Sequence, residues 1–151
     1  LCKNFYKKDN LSFHVGSAEE LLFDNQFFDI IVNVESSHCY PNFKKFLLEV
    51  KRVLKPEGQF LITDFRSSSE FSHFDKSINK NFKIISYEDI TNNILIALDE
   101  MSEKRKKQIK FFLPNFLSNI SSSFAGIKGS KLYESFIKRE LVYHMYVLKS
   151  I

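Results

Sequence analysis

The sequence predicts an α/β fold: a mostly parallel sheet with right-handed crossovers, and a last strand inserted antiparallel. Two observations predict the sheet. Apolar runs of strand length at 28–34, 59–65, 82–87 and 141–148 are separated by stretches with helical apolar spacing. The runs are also close to continuous, as in strands covered on both faces. A third observation sets the last strand apart. It follows an irregular segment instead of a clean crossover helix, which fits an antiparallel insertion.

Each element has its own signals. Leu1, Phe5 and Lys8 have the spacing of a helix tail that Asp9 and Asn10 break. Residues 11–15 alternate apolar and polar side chains and read as a short strand closed by Gly16-Ser17. The run at 28–34 is a buried strand with Asp29 near its start, a residue expected to bond backbone or a neighbouring helix. Pro41-Asn42 opens a helix whose apolar positions are Phe43, Phe46, Leu47, Val50, Val53 and Leu54, with Lys44, Lys45, Glu49, Lys51 and Arg52 facing water. Pro56 and Gly58 stop it.

Residues 59–65 form a second buried strand, and Ser67-Ser68-Ser69 leads into a weaker helical pattern ending near Asn79. Residues 82–87 read as a third central strand. Ile90, Ile94, Leu98 and Met101 mark a helical stripe, followed by a separate basic helix over 102–112 that Pro114 breaks or kinks. After Ser121-Ser122-Ser123, the segment FAGIKGSKLYESF reads as a glycine-hinged loop and a short helix. No repeat and no clear boundary divides the chain, so residues 1–151 are read as part of one domain.

Composition narrows the class. At 151 residues, 44% hydrophobic and 26% charged, the chain is globular in type and not disordered. A net charge of +4 is compatible with an anionic partner without requiring one. Cys2 and Cys39 make neither a disulfide framework nor a CxxC pair, so a reducing cytoplasm is expected. No run reaches the roughly 18 apolar residues that span a bilayer. The first ten residues lack the apolar core of a signal peptide, and without an initiator methionine they read as the start of a processed product or fragment.

Chemistry-bearing side chains gather at two strand ends. Glu35, His38, Cys39 and Tyr40 follow the first buried strand; Asp64 and Arg66 close the second. Ligands of open α/β sheets bind at the carboxyl ends of strands. His38 is the first candidate for a general base, because imidazole suits proton transfer near neutral pH. Glu35 is the second, either as base or as an orienting partner. Cys39, Tyr40 and Arg66 are candidates for shaping an acceptor pocket. A Cys39–His38 nucleophile pair is disfavoured, since adjacent loop residues rarely point at each other. Asp64 could face either the site or a turn. His14, His38, His73 and His144 lack metal-ligand spacing, so no metal is expected. His144 reads as a hydrogen-bonded structural histidine.

The segment GSAEELLFDNQFFDIIVNVESSHCYPNFKKFLLEVKRVLKPEGQFLITDFR resembles class I S-adenosylmethionine-dependent methyltransferases. NVESSHCYP, DFR, EDITNNILIAL and FAGIKGSKLYESFIKRELVYHMYVL resemble more narrowly the phthiotriolone and phenolphthiocerol dimycocerosate methyltransferases, which O-methylate long-chain lipids. The resemblance implies an incomplete Rossmann-like sheet, strands 3 to 7 of the order 3-2-1-4-5-7-6. Strands 4, 5, 7 and 6 stay neighbours, 28–34 becomes an edge, and 11–15 loses its partner.

It also implies S-adenosyl-L-methionine as cofactor. The GxGxG loop that cradles it, and the acid that holds its ribose, are not found: Gly16, Gly58, Gly126 and Gly129 are the only glycines. The contacts it carries over are Gly16, Ser17 and Ala18 at the adenine, and Asn33, Val34, Glu35 and Ser36 at the methyl group. Ser17 stands where the family often has aspartate, and Glu57 where it has glycine. Tight cofactor binding by this chain alone is therefore not expected.

Three functions remain open at this stage. The leading one is an O-methyltransferase of a lipid or small-molecule hydroxyl, represented by its C-terminal part. The alternative is an inactive remnant or a partner-dependent half. The weakest is a basic binding module built on Lys104, Arg105, Lys106, Lys107 and Lys110, which could meet a membrane surface; nucleic acid is not expected. Self-association through the exposed sheet edge is a further expectation.

Overall fold

The computed structural model describes residues 6, 8–112 and 127–151, with the side chains of residues 105, 106 and 108–112 outside that description. Strand β1 (Phe28–Val34) leads through a 3-10 turn (Ser37–Cys39) into helix α1 (Phe43–Val53). Strand β2 (Leu54–Ser67), helix α2 (Ser68–Asn79), strand β3 (Phe82–Asp89) and helix α3 (Thr91–Phe112) follow, and helix α4 (Lys131–Ile137) and strand β4 (Leu141–Ser150) close the chain.

The four strands lie in the order β1-β2-β4-β3. β1 runs parallel to β2, while β4 is antiparallel to both of its neighbours. The expected order 4-5-7-6, with an antiparallel last strand and 28–34 at one edge, is thus the order observed.

Local chemistry explains the boundaries. Asn42 caps α1 by accepting from the Lys45 N–H at 3.0 Å. The apolar stripe Phe46, Leu47, Val50 and Val53 is buried, as its spacing predicts. The helix gives way directly to β2 at Leu54. Pro56, Glu57 and Gly58 do not form a separate turn; they lie in an irregular stretch of β2, between the pairs Phe28↔Leu54 and Ile30↔Gln59. Ser67 and Ser130 cap α2 and α4 through their hydroxyls.

Three expectations need correction. Residues 11–15 form no strand, because an extended segment needs a neighbour for its N–H and C=O groups; nearby, among the described residues, stands only an isolated Ser17↔Glu20 bridge. Residues 82–87 lie in an edge strand, since β4 inserts between β2 and β3. The basic stretch 102–112 continues α3 without a break, as no glycine or proline interrupts it. Asp29 is exposed and pairs with Lys55 of β2 at 2.8 Å, not with a helix, and its carboxylate also bonds its own backbone. The expected helix tail at 1–8 falls mostly on residues outside the description, and Tyr6 and Lys8 are not helical. Pro114, Ser121-Ser122-Ser123 and Gly126 also lie outside it.

Helices α1 and α2 cover one sheet face. Phe46, Leu47 and Val50 pack there with Phe60, Ile62, Phe74, Ile78, Tyr146 and Leu148. On the other face Leu98 of α3, Tyr133 and Phe136 of α4, and Tyr143 form a smaller cluster. Side chains alternate along β2, so Phe60, Ile62, Asp64 and Arg66 all face α1 and α2. On β1 the opposite set, Ile30, Val32 and Val34, is 56–63% exposed. No helix of the described residues is long and apolar enough to cross a membrane.

Gly58 marks where β1 and β2 come closest. A Cβ there would stand 2.9 Å from the Asp29 carbonyl oxygen and 2.8 Å from Leu54 Cδ1. Gly58→Ala should therefore destabilise the fold by about 1–3 kcal/mol, the range for overpacking. A lowered urea midpoint is the expected result; an unchanged midpoint would refute the close-approach reading.

Candidate active site

β1 ends in a backbone reversal. Glu35 has φ +46°, a left-handed conformation that non-glycine residues seldom adopt. Its N–H still donates to Thr63 O at 3.0 Å, so the parallel ladder extends to the bend. The 3-10 turn beyond it carries Ser37 and His38 over the carboxyl end of β2.

Asp64 receives them there. Its side chain is fully buried. One oxygen accepts from Ser37 Oγ at 2.6 Å and from the His38 backbone N–H at 2.9 Å. The other accepts from His38 Nδ1 at 2.7 Å and from its own Phe65 N–H at 2.9 Å. Arg66 completes the set, with Nη1 3.2 Å from the carboxylate and Nη2 donating to Ser37 Oγ at 2.8 Å. Burial alone would raise the Asp64 pKa; the Ser37 and His38 hydrogen bonds and the Arg66 charge outweigh it and hold the carboxyl below its ordinary value.

The bond to Asp64 fixes the histidine tautomer. A carboxylate only accepts, so Nδ1 carries the proton and Nε2 presents a lone pair. The ring lies 4.5 Å, centroid to centroid, from Phe65 and keeps 28% of its side-chain surface exposed. It borders an open cleft of about 400 Å³, walled also by Tyr40, Phe43, Phe65, Arg66, Glu70, His73 and Phe74. The Arg66 guanidinium sits 4.8 Å from the Phe74 ring centroid and 5.7 Å from that of Phe43. Tyr40 is fixed by Asn33 Nδ2, which donates to its hydroxyl at 2.9 Å, and by donating in turn to Ser36 Oγ.

The other residues singled out in the sequence are dispersed. Glu35 is not the partner of His38. Its carboxylate lies against the Tyr143 hydroxyl on the α3/α4 face, where burial and then Glu35 raise the tyrosine pKa. The orienting role expected of Glu35 belongs to Asp64. Cys39 is exposed and does not line the cleft, because it sits on the outer side of the 3-10 turn. His144 is 6% exposed and stacks 3.7 Å from Phe71, but its Nδ1 has no partner, unlike the hydrogen-bonded histidine expected.

Gly16, Ser17 and Ala18 do not line the cleft; Gly16 and Ser17 are exposed, and Ala18 packs against the α1/α2 core. Ser17 Oγ accepts from the Glu19 N–H at 3.1 Å, so its hydroxyl already serves the local turn. A Cβ on Gly16 would meet only ordinary contacts with Leu22 at 3.7 Å and beyond, which is no cradle for a ligand. Val34 is exposed, and Asn33 is buried with Oδ1 unpartnered. Among the described residues, Gly16, Ser17 and Ala18 thus form no glycine cradle. No group of three or more His, Cys, Asp or Glu among the described residues could hold a metal.

Sequence reading missed Asp64 as the organiser, Ser37 as its donor, and Phe43, Phe74 and His73 as cleft walls. One signal was present. Asp64 and Arg66 continue the Phe60, Ile62 alternation and so must share the face of α1 and α2.

A sheet with one antiparallel insertion, helices on both faces and a polar cluster at the carboxyl ends of two parallel strands defines a Rossmann-like, class I methyltransferase fold. The chain belongs to the methyltransferase-domain family, whose profile matches residues 2–136. It is 36% identical over 147 residues to phthiotriol/phenolphthiotriol dimycocerosates methyltransferase of Mycobacterium tuberculosis, covering 97% of this chain and 54% of that protein. It is 28% identical to a fatty-acid O-methyltransferase of Mycolicibacterium smegmatis, covering 96% of this chain and 53% of the relative.

The chain thus spans about half the length of the curated relatives it matches. Among solved structures, a putative sarcosine dimethylglycine methyltransferase from Galdieria sulphuraria superposes with a TM-score of 0.75 at 17% identity, over 93% of this chain and 60% of that one. An O-methyltransferase of a Brevibacillus brevis multienzyme, solved with S-adenosyl-L-homocysteine, gives 0.68 at 17% identity, over 89% and 48%.

Asp64 sets a pH-dependent stability. Its lowered folded pKa means that its contribution is present above the unfolded carboxylate range and is lost as pH falls through the folded value. Asp64→Asn should cost about 3 kcal/mol near neutrality, because it leaves Arg66 without its buried partner. The gap from the parent should narrow as pH falls below about 4. Urea midpoints across that range check this, and a gap constant with pH would contradict it.

Proposed function

We propose that the polypeptide carrying this chain is an S-adenosylmethionine-dependent O-methyltransferase acting on a hydroxyl of a lipid or similar small molecule, and that these residues form its acceptor side. The observation that carries this reading is the His38–Asp64 pair opening onto an aromatic cleft. The cofactor, when bound, supplies the methyl group. His38 Nε2 takes the acceptor's proton, and Asp64 stabilises the resulting imidazolium. Ser37 and Arg66 keep Asp64 in place. Phe43, Phe65 and Phe74 hold the apolar body of the acceptor and keep water from it. The names of the relatives, dimycocerosate and fatty-acid methyltransferases, support a lipid acceptor.

A second reading is an inactive remnant or a partner-dependent half. Ser17 at the position where the family often has aspartate, and Glu57 where it has glycine, favour it. Methyl transfer from labelled cofactor to a long-chain hydroxy lipid separates the two. For the enzyme, His38→Ala should lower kcat by about 10²–10⁴-fold, the usual contribution of a general base. Transfer unaffected by His38→Ala removes the base from the mechanism, and no transfer by the parent polypeptide leaves the remnant.

Two surfaces bear on partners. The apolar stripe of Ile30, Val32 and Val34 on edge strand β1 supports self-association. The basic end of α3, where Lys104 and Lys107 are exposed, supports contact with an anionic membrane from the cytoplasmic side. In sedimentation, Val32→Lys should abolish concentration-dependent association. The polypeptide should also pellet with phosphatidylglycerol vesicles but not with neutral ones. Association that survives Val32→Lys, or pelleting indifferent to lipid charge, would remove the corresponding surface.

A further inference from the structure

A second cavity, of about 310 Å³, lies in the groove between α1 and α2. Helical spacing creates it. Lys44 and Leu48 stand four residues apart on α1, and His73, Lys76, Ser77 and Lys80 follow the 3, 4, 7 rule on α2, so each set shares a face. No carboxylate lines the groove. Lys45, Lys55, Lys128 and Lys149 each have an acidic partner, whereas Lys44, Lys76 and Lys80 have none among the described residues.

Lys76 and Lys80 are like charges at i, i+4, an arrangement that costs a helix about 0.2–0.5 kcal/mol. Lys76 stands in the last turn of α2 and Lys80 at its C-cap, so the helix dipole favours both charges and offsets that cost. Ser77 is already committed, its hydroxyl donating to His73 O at 2.9 Å. Three exposed lysines therefore line one groove together with the exposed side chain of Leu48. The groove is also joined to the cleft beside His38: His73 lines both.

We infer that the groove is an anion subsite for a phosphate monoester carried by the methyl acceptor, whose apolar body occupies the neighbouring aromatic cleft. A phosphate dianion matches several point-charge donors better than a single carboxylate does, and Lys binds phosphate as a flexible point charge. The acceptor class is then an amphiphile with one phosphate and a long apolar body. Only its identification as methyl acceptor rests on the function proposed above; the anion site stands on the groove itself.

Binding tests this without the cofactor, in the full polypeptide that carries residues 1–151. The probes are decyl phosphate below its micelle concentration, decanol and inorganic phosphate, titrated by calorimetry. Decyl phosphate should bind at least about ten-fold tighter than decanol, and this advantage should shrink as salt is raised from about 0.05 to 0.5 M. The double variant Lys76→Gln/Lys80→Gln, and separately Lys44→Gln, should remove most of the advantage while leaving decanol binding unchanged. Lys83→Gln, on edge strand β3, should leave it intact.

Inorganic phosphate should bind weakly, with the same lysine dependence. Inorganic phosphate binding as tightly as decyl phosphate would mean a site for the free ion and would overturn the amphiphile. Equal affinity for decanol and decyl phosphate, or an advantage that survives the lysine variants, would overturn the subsite. Failure of methyl transfer with the phosphate preference intact would sink the enzymatic reading and not this one.

Discussion

The carboxylate of Asp64 joins two pieces of chain that share no covalent neighbour. It lies at the end of β2, while the groups that satisfy it, Ser37 and His38, come from the turn after β1. A buried carboxylate without donors would cost several kcal/mol, and each donor here is held by something else. Ser37 Oγ also accepts from Arg66, and Arg66 lies against Phe74 and Phe43 on the two covering helices. One buried charge thus sets the position of the turn, the tautomer of His38 and one wall of the cleft. A catalytic histidine on a loop would otherwise have the rotational freedom of any half-exposed side chain; here its ring is fixed at both Nδ1 and one face.

The two faces of the sheet differ in a way that follows from this anchor. Phe60, Ile62, Asp64 and Arg66 form a single row, apolar at one end and ionic at the other, under α1 and α2. The row places the ionic end over the carboxyl ends of β1 and β2 and leaves the apolar end to supply the core. On the opposite face the cover is confined to the part of the sheet next to α3 and α4. Ile30, Val32 and Val34 lie beyond that cover. An apolar parallel strand with one open edge and one open face has the character of an interior element. Relatives about twice as long as this chain share the matched half, which is consistent with that character.

Much of the fold was legible because its signals are local. The 3, 4, 7 spacing from Phe43 to Val53 needs no partner to be read, and four apolar runs gave four strands. The resemblance added the order of those strands, which periodicity cannot supply. Residues 11–15 show the opposite case. Their alternation is a strand pattern, but a strand is a pairing, and no neighbour among the described residues provides the ladder.

The site was half legible for the same reason. His38 and Tyr40 were found from their place after a strand. Asp64 could not be given its role, because it lies 26 positions after His38 and meets it only once β1 and β2 pair in parallel. Glu35 looked like the natural partner by proximity in sequence. Its left-handed backbone turns it to the other sheet face.

What separates acceptor side from cofactor side is visible in the hydrogen bonds. Where the acceptor is proposed to sit, the polar groups are tied to one another and leave one functional atom free, His38 Nε2. Where the cofactor would be expected, the pattern differs: Ser17 Oγ accepts from the Glu19 N–H of its own turn, and Asn33 Oδ1 is buried with nothing to accept from. A buried carbonyl without a donor costs about 1–3 kcal/mol, so a fold that retains one commonly has a missing donor in mind. Asn33 follows β1 along its covered face, one residue from the strand end. The unpartnered Asn33 carbonyl and the exposed apolar side chains Ile30, Val32 and Val34 thus belong to the same edge strand, on its two opposite faces.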